Sequence, residues 1–375
     1  MKPVVVVGAG IGGLTLAAGL TRRGVPVVVL ERAERLAAVG AGLTLQPNAV
    51  LALRRLGLAE PLEAAGARLA SAALYDARGR VLARPSPAQT RELFARAGAP
   101  ALGLHRATIH DALVAQLETL RLGARVTAVE DGAVTLAGGE VVHGSVVVGA
   151  DGLSSTVRAA LLGPAEPRYS GYFCWRGVTA GGAFPRDWAA EYWGAGQRFG
   201  GCAIDGDRRY WFLVANGPPG ADPGVAHVAA AFPAEVQDMI RDTPPEAIRR
   251  DDISDRPPAE HWGFGAVTLL GDAAHPMTPN LGQGACQVIE DALVLTELIG
   301  RDGPGPDTLR AYERVRRPRA NALVTASYRL GRVAQAGGPV APRLRDTLVR
   351  MVPAGVMVRQ MRRVWRPFSP TTHNP

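Results

Sequence analysis

The sequence predicts an α/β protein: a parallel sheet with packed helices, a mostly antiparallel β-sheet inserted into it, and helices at the C-terminal end. Three observations predict this. Residues 4–7, 27–30 and 146–148 are unbroken aliphatic runs, the pattern of strands covered on both faces. A glycine-rich turn and a helical apolar stripe separate the first two runs. Aromatic residues and alternating runs concentrate between about 168 and 265, as in antiparallel strands.

The first unit, residues 4–31, reads VVVVGAGIGGLTLAAGLTRRGVPVVVLE. Gly8, Gly10 and Gly13 follow the first strand at GxGxxG spacing. Gly8 permits a tight turn, Gly10 lets backbone N–H groups approach a pyrophosphate, and Gly13 lets the helix pack closely on the strand. Leu14, Ala17, Ala18 and Leu20 form the helical stripe, and Gly24 ends it. The helix start offers unpaired N–H groups and a positive dipole end to phosphate. Glu31 closes the second strand, where a carboxylate accepts hydrogen bonds from a ribose 2′-hydroxyl. Together these predict a dinucleotide site. The carboxylate repels a 2′-phosphate, so FAD or NAD fits there and NADPH does not.

The stretch GAGLTL at 40–45 predicts a turn into a short strand. Gln46, Pro47 and Asn48 then open a helix over 49–56 that Gly57 stops. Residues 67–98 read as short strands and polar loops, broken by Pro85 and Pro87. A helix is expected over 109–120, with Thr108 as its N-cap and Arg106 ahead of it. Residues 125–140 read as a hairpin. The strand at 146–148 ends on Gly149-Ala150-Asp151-Gly152, followed by Ser154, Ser155 and Arg158. The aromatic segment, with alternating stretches such as 209–215, reads as a sheet that covers the cofactor face and forms a pocket. Most of its individual rings are expected in that sheet's own core. AVTLL at 266–270 returns the chain to the first sheet. GDAAHPMTPNLGQG at 271–284 leads into a helix over 285–299. A Gly/Pro loop at 300–306 precedes a long helix over 307–335, and residues 344–361 read as basic and amphipathic. Residues 1–70, 100–168 and 266–300 are thus expected to form one domain, 71–99 and 169–265 a second, and 301–375 a helical C-terminal region.

With 375 residues, 47% hydrophobic and 20% charged, the chain has the composition of a globular protein of about two domains. It enters its first strand at Val4, so no secretory leader is expected, and no apolar run approaches the ~20 residues of a membrane span. Cys174, Cys202 and Cys286 are scattered, with no CxxC, which suits a reducing cytoplasm and argues against a disulfide framework or a zinc site. The net charge of +8 is uneven. Residues 310–375 hold 14 arginines against Glu313 and Asp346, leaving 28 basic and 32 acidic groups elsewhere. The body is therefore slightly acidic and no nucleic-acid partner is expected. The basic tail suits a solvated helical face closing the domain better than an anionic membrane or a dimer interface. Lys2 is the only lysine, which excludes a Schiff-base enzyme.

GAGIGG with Glu31, GADGLSSTVR at 149–158, and GDAAHPMTPNLGQGA at 271–285 occur in that order at wide separation. Together they resemble the class A flavoprotein monooxygenases, the single-component aromatic hydroxylases of the para-hydroxybenzoate hydroxylase fold. The resemblance covers about residues 1–335. GYFCWRG at 171–177 and PNLGQGACQVIEDA at 279–292 are similar to the urate hydroxylase and zeaxanthin epoxidase branch. The resemblance implies a Rossmann-like FAD-binding domain of the GR2 type, and tightly bound, non-covalent FAD. It places FAD contacts at Gly8, Gly10, Ile11, Gly12, Gly13, Glu31 and Arg32. Further contacts fall at Gly42, Gln46, Arg106 and Asp151, and around the flavin ring at Asp272, Pro279, Gly282, Gly284 and Ala285. Asp272 would accept hydrogen bonds from the ribityl chain. The amides near Gly282 and Gly284, with the dipole of the helix from Ala285, would stabilise negative charge at the flavin N1 and C2=O edge.

The reaction implied is monooxygenation. NADH or NADPH binds transiently and reduces FAD, O₂ adds at the flavin C4a, and the hydroperoxide passes its distal oxygen to an electron-rich aromatic, heteroaromatic or alkene small molecule. Arg198 and Tyr210 match positions that orient an anionic heteroaromatic substrate in the urate hydroxylase branch, although Arg198 also fits a fold-wide arginine near the flavin. Asn280 and Ala285 depart from the urate pattern, leaving urate itself open. His275 is expected to stabilise its turn, and Arg158 to anchor a loop. A flavin halogenase needs an active-site lysine, which is absent. A flavin oxidase or reductase, or a flavin-binding sensor, is the alternative. Monomer and homodimer both remain open.

Overall fold

The structure is a computed structural model describing residues 2–36, 41–70, 72–181 and 184–366. Val4–Val7 lies inside a six-stranded sheet, where Val4 pairs in parallel with Val27 on one side and Val146 on the other. Val267–Leu269 extends the parallel set beyond Val146–Gly149. Gly263–Phe264 and Leu120–Arg121 close its two edges. All four residues of Val4–Val7 are buried, as an aliphatic run without alternation requires. Helix Ile11–Thr21 follows the first strand, and helix Gly284–Asp302 packs on it. These elements share one continuous core.

The second sheet has seven strands. Arg249–Asp255, Arg168–Ala180, Arg208–Asn216, Gln197–Ile204 and Ala189–Trp193 run antiparallel in that spatial order. Ala73–Asp76 joins Ala189–Trp193 in parallel, and Val81–Ala83 closes the edge. Most of its rings do fill its own core: Phe173, Trp175, Trp188, Tyr192, Phe199 and Trp211 pack together with helix Ala234–Arg241. The pairing Gly42–Leu45 with Ala101–His105 stands between the two sheets. The predicted turn into that strand begins at Gly40, which lies outside the described residues.

Three local expectations are corrected. The helix expected over 109–120 is Arg106–Val114, and its N-cap is His105, whose Nδ1 accepts the Ala107 N–H at 3.2 Å. Thr108 lies inside the helix and its hydroxyl donates to Asp205 at 2.6 Å. The helix stops early because Leu120–Arg121 pairs with Val29 and Leu30 as an edge strand. Residues 67–98 are not only strands and loops. Pro87 opens helix Pro87–Ala97, Ser86 and Gln89 form a reciprocal capping box, and Gly98 closes it at φ 76°. Proline at the first helical position fits because its missing N–H has no intrahelical partner to lose. The helix expected over 285–299 runs to Asp302, so the Gly/Pro loop begins at Gly303. The long helix is Pro306–Ala334, and two helices follow, Ala341–Met351 and Ala354–Trp365.

Candidate active site

Parallel pairing carries the loops after Val4–Val7, Val146–Gly149 and Val267–Leu269 to one edge of the first sheet, where ligands of open α/β sheets bind. Gly8 turns there at φ 106°, and a Cβ on it would stand 2.5 Å from the Ala150 carbonyl oxygen. A Cβ on Gly13 would stand 2.0 Å from the Gly8 carbonyl oxygen. Packing therefore accounts for both. A Cβ on Gly10 or on Gly284 would meet nothing within 4 Å, although both line the cavity described next. Glycine on an open wall lets a ligand reach the backbone N–H groups, and at Gly284 these begin a 19-residue helix. This donor set fits a flavin dinucleotide.

One cavity of about 610 Å³ runs from Gly10, Ile11 and Gly12 to Arg198 and Tyr210. Gly42, Gln46, Arg106 and Asp272 line it between those ends, as do Pro279, Gly282, Gly284 and Ala285. Asp272 faces this space with an accessible side chain, and the desolvation imposed by the surrounding protein raises its carboxyl above the usual range. Gln46 donates to the Leu281 carbonyl at 2.9 Å and so joins the 46–48 turn to the glycine-rich loop.

Gly8, Gly13, Glu31, Arg32 and Asp151 are not on this wall. The Glu31 carboxylate accepts the N–H of Ala9 at 2.8 Å and of Ala33 at 2.9 Å, holding the glycine turn against the second strand. Asp151 accepts Ser155 Oγ and the N–H groups of Thr156 (2.7 Å) and Val157 (3.2 Å), so its carboxylate is engaged at the start of helix Thr156–Leu162. Burial pushes its carboxyl up despite those bonds. Arg158 donates to the carbonyls of Ala273 and Ala274 at 2.9 and 3.0 Å, a loop anchor.

Behind the loop, His275 lies 2.6 Å from Asp291, which also accepts the Gly271 N–H at 3.1 Å and Arg316 Nε at 2.7 Å. Glu290 accepts from Arg316 at 2.6 Å, Arg319 at 3.0 Å and Asn48 at 2.7 Å. His275 thus secures its own turn. Burial alone would raise Asp291, but His275 and Arg316 outweigh it and hold the carboxyl below the usual range.

At the far end Arg198 is 2% exposed. Its Nη2 donates to Asn280 Oδ1 at 2.7 Å and its Nη1 lies 3.7 Å from Glu191. Among the described residues its Nε and Nη1 have no hydrogen-bond partner. Its guanidinium also stands over the Phe212 ring, 5.6 Å from the centroid. Tyr210 packs on Gly42, where a Cβ would stand 2.4 Å from the Tyr210 Cβ. Burial raises the Tyr210 phenol far above its ordinary value and keeps it protonated. Sequence reasoning missed Arg176, Glu191, Phe212, Met361 and Trp365, all on the cavity wall. Arg176 sits inside the FCWRG run, which could have flagged it. Trp365 is the only tryptophan beyond Trp262 and stands in a basic stretch. Its Nε1 donates to Gln46 Oε1.

A dinucleotide turn, a second glycine-rich loop under a long helix and a buried arginine facing the same space define a flavoprotein hydroxylase. The chain belongs to the family of the FAD binding domain, whose model matches residues 1–327. It is 42% identical to aurachin C monooxygenase/isomerase of Stigmatella aurantiaca, over 93% of this chain and 94% of that protein. It is 34% identical to 2-heptyl-3-hydroxy-4(1H)-quinolone synthase of Pseudomonas aeruginosa (strain UCBPP-PA14), again over 93% and 94%. The crystal structure of Klebsiella pneumoniae HpxO complexed with FAD and uric acid matches with a TM-score of 0.90 at 26% identity, covering 97% of this chain and 96% of that one. The protein is a class A FAD-dependent monooxygenase that uses NAD(P)H and O₂ on small aromatic molecules.

Proposed function

We propose that the enzyme oxygenates an electron-rich, hydroxylated or keto heteroaromatic ring held between Arg198 and Tyr210. The observation that carries this is the continuous cavity joining Gly10 to Arg198, whose Nε and Nη1 make no hydrogen bond among the described residues. A buried guanidinium whose hydrogen-bonding capacity is only partly used suits an enolate or ring carbonyl oxygen. The names of two relatives support the ring class: one contains a hydroxyquinolone, and the solved HpxO complex contains uric acid.

FAD, when bound, supplies the reduction by NAD(P)H and the activation of O₂. In this reading Gly10, Ile11 and Gly12 give backbone N–H groups to its pyrophosphate, with Gly8 and Gly13 shaping the turn. Glu31 and Arg32 flank the ribose, and Arg106, Gly42 and Gln46 line its path. Asp151 acts indirectly, by fixing helix Thr156–Leu162 beside that path. Asp272 accepts from the ribityl hydroxyls. Pro279, Gly282, Gly284 and Ala285 bring amides and a helix N-terminus to the pyrimidine edge, favouring negative charge there. Arg198 orients the substrate oxygen, and Tyr210, neutral, donates from its hydroxyl. Phe212, Val214 and Met277 exclude water from the far end.

The deciding experiment is NAD(P)H oxidation by FAD-loaded protein against phenols, quinolones, purines and polyenes, with hydrogen peroxide measured in parallel. Stimulated oxidation with little peroxide and an oxygenated quinolone or purine product is expected. Stimulation with stoichiometric peroxide, or by none of the heteroaromatics, overturns the reading.

We further propose a cytoplasmic enzyme that touches anionic membrane surfaces weakly. Val340, Leu344, Leu348 and Met351 are 56–72% exposed beside Arg343 and Arg350, the mix of apolar and basic groups of an interfacial helix. Among the described residues no helix is long and apolar enough to cross a membrane. Flotation with phosphatidylglycerol vesicles tests this, and absence of protein from the lipid fraction at low salt ends it.

A further inference from the structure

The polar and charged wall of the cavity is confined to part of its length. Beyond Tyr210 it is walled by Leu69, Leu93, Phe94, Ala101, Met361 and Trp365. These come from three places: the paired strands Ala67–Leu69 and Ala101–His105, helix Pro87–Ala97, and the last described helix, Ala354–Trp365. Leu69 and Ala101 form one apolar cluster with Cys202 and Ile204, against which Phe94 and Tyr210 pack. Phe94 in turn stacks on Trp365, ring centroids 5.4 Å apart. The apolar wall is thus continuous from the substrate ring site to the C-terminal helix. Every charged residue that lines the cavity (Arg106, Arg176, Glu191, Arg198, Asp272) lies outside this stretch.

Such a space has specific chemistry. Among the described residues its own wall carries no charge, while Arg96, Arg359, Arg362, Arg363 and Arg366 line a neighbouring pocket that shares Trp365. An apolar gap between packed helices and strands costs stability in proportion to its volume when left empty. What it accepts is hydrocarbon. Trp365 fixes its outer wall: its indole N–H is held by Gln46, leaving the ring to face Phe94.

We propose that this arm receives a hydrocarbon chain attached to the substrate ring. The substrates are then amphiphiles, with a polar electron-rich head at Arg198 and Tyr210 and an alkyl or alkenyl tail between helix Pro87–Ala97 and helix Ala354–Trp365. The proposal rests on the head site argued above and adds the tail. It also gives the C-terminal helix a direct part in substrate choice.

The test is equilibrium binding of a homologous series, 2-methyl- to 2-heptyl-4-quinolone, to the FAD-loaded full-length protein, followed by perturbation of the flavin absorbance. Burial of each methylene strengthens binding about fourfold, so the dissociation constant is expected to fall steadily along the series. Equal affinity for the methyl and heptyl compounds, or weaker binding of the heptyl one, overturns the proposal. Met361→Arg and, separately, Phe94→Asp place a charge in the arm and are expected to reduce the heptyl-to-methyl affinity ratio more than tenfold. The ratio is the readout, so a general loss of folding or of FAD does not imitate the effect. A ratio unchanged in both variants also overturns it. Failure of the head reading has a different signature: 4-heptylphenol then matches the heptylquinolone in affinity and retains the dependence on Met361 and Phe94.

Discussion

Arg198 donates from Nη2 to Asn280 Oδ1 at 2.7 Å. This bond joins the seven-stranded sheet to the glycine-rich loop that precedes helix Gly284–Asp302. Asn280 is itself held by Tyr172, Thr278 and the Ser327 carbonyl, at 2.8–3.0 Å. Arg198 is thereby fixed by one nitrogen, while among the described residues Nε and Nη1 make no hydrogen bond and Nη1 faces the Glu191 carboxylate at 3.7 Å.

Arg198→Gln therefore removes a charge-assisted contact to substrate, a loss of about 1.5–3 kcal/mol. KM is expected to rise roughly tenfold to a hundredfold, and the share of NAD(P)H oxidised to peroxide to increase. Arg198→Lys is not expected to restore the wild-type KM, because one ammonium cannot hold Asn280 and present a flat fork to the ring at once. Steady-state kinetics with peroxide detection, at matched flavin content, decides this. An unchanged KM removes Arg198 from the substrate site.

Gly10→Ala and Gly13→Ala separate ligand approach from packing. A methyl added at Gly10 meets no protein atom within 4 Å, whereas one added at Gly13 lies 2.0 Å from the Gly8 carbonyl oxygen. Gly10→Ala is expected to keep the melting temperature of the FAD-free protein and lose at least tenfold in FAD affinity. Gly13→Ala is expected to lower that melting temperature. Calorimetry and flavin titration on the two variants check the division.

Asp291→Asn takes from Arg316, which is fully buried, one of the two carboxylates it pairs with and leaves it Glu290. Breaking a buried pair costs about 3–5 kcal/mol, so the urea midpoint at pH 7 should fall accordingly. The pH dependence follows from the depressed carboxyl. Its folded pKa lies below its unfolded value, so its stabilisation is complete above the ordinary carboxylate range and is lost as pH falls through the folded pKa. The gap between wild type and variant should narrow between pH 7 and pH 3.

Cys202 lies on the cavity wall, and burial pushes its thiol up to about 11. At pH 8 roughly one molecule in a thousand carries the thiolate. Iodoacetamide should label the native protein slowly at pH 8 and faster as pH rises, and should label all three cysteines in denaturant. Rapid native labelling at pH 8 would contradict this environment.

The elements that the sequence shows plainly are those whose residue pattern has one physical solution. The aliphatic runs at 4–7, 27–30 and 146–148 become adjacent parallel strands, because residues without alternation must be covered on both faces. The corrections fall where tertiary contacts compete with local pattern. The helix predicted to reach residue 120 yields to the pairing of Leu120 with Val29. Pro87, read as a breaker, starts a helix because Ser86 and Gln89 cap it.

The sequence by itself determined the fold class and a dinucleotide site, since these follow from glycines, a carboxylate and strand runs at short range, while the flavin and the monooxygenase chemistry followed from the resemblance that its three motifs carry. Only the tertiary structure decided which side chains share the cavity. Arg176, Glu191 and Phe212 look like any residues of an alternating sheet until register turns them inward. Trp365 reaches Gln46 from 319 residues away, a contact between segments that no local pattern links. Spacing along the chain reports local geometry, whereas the far end of this cavity is made by the docking of a sheet, a loop and a C-terminal helix.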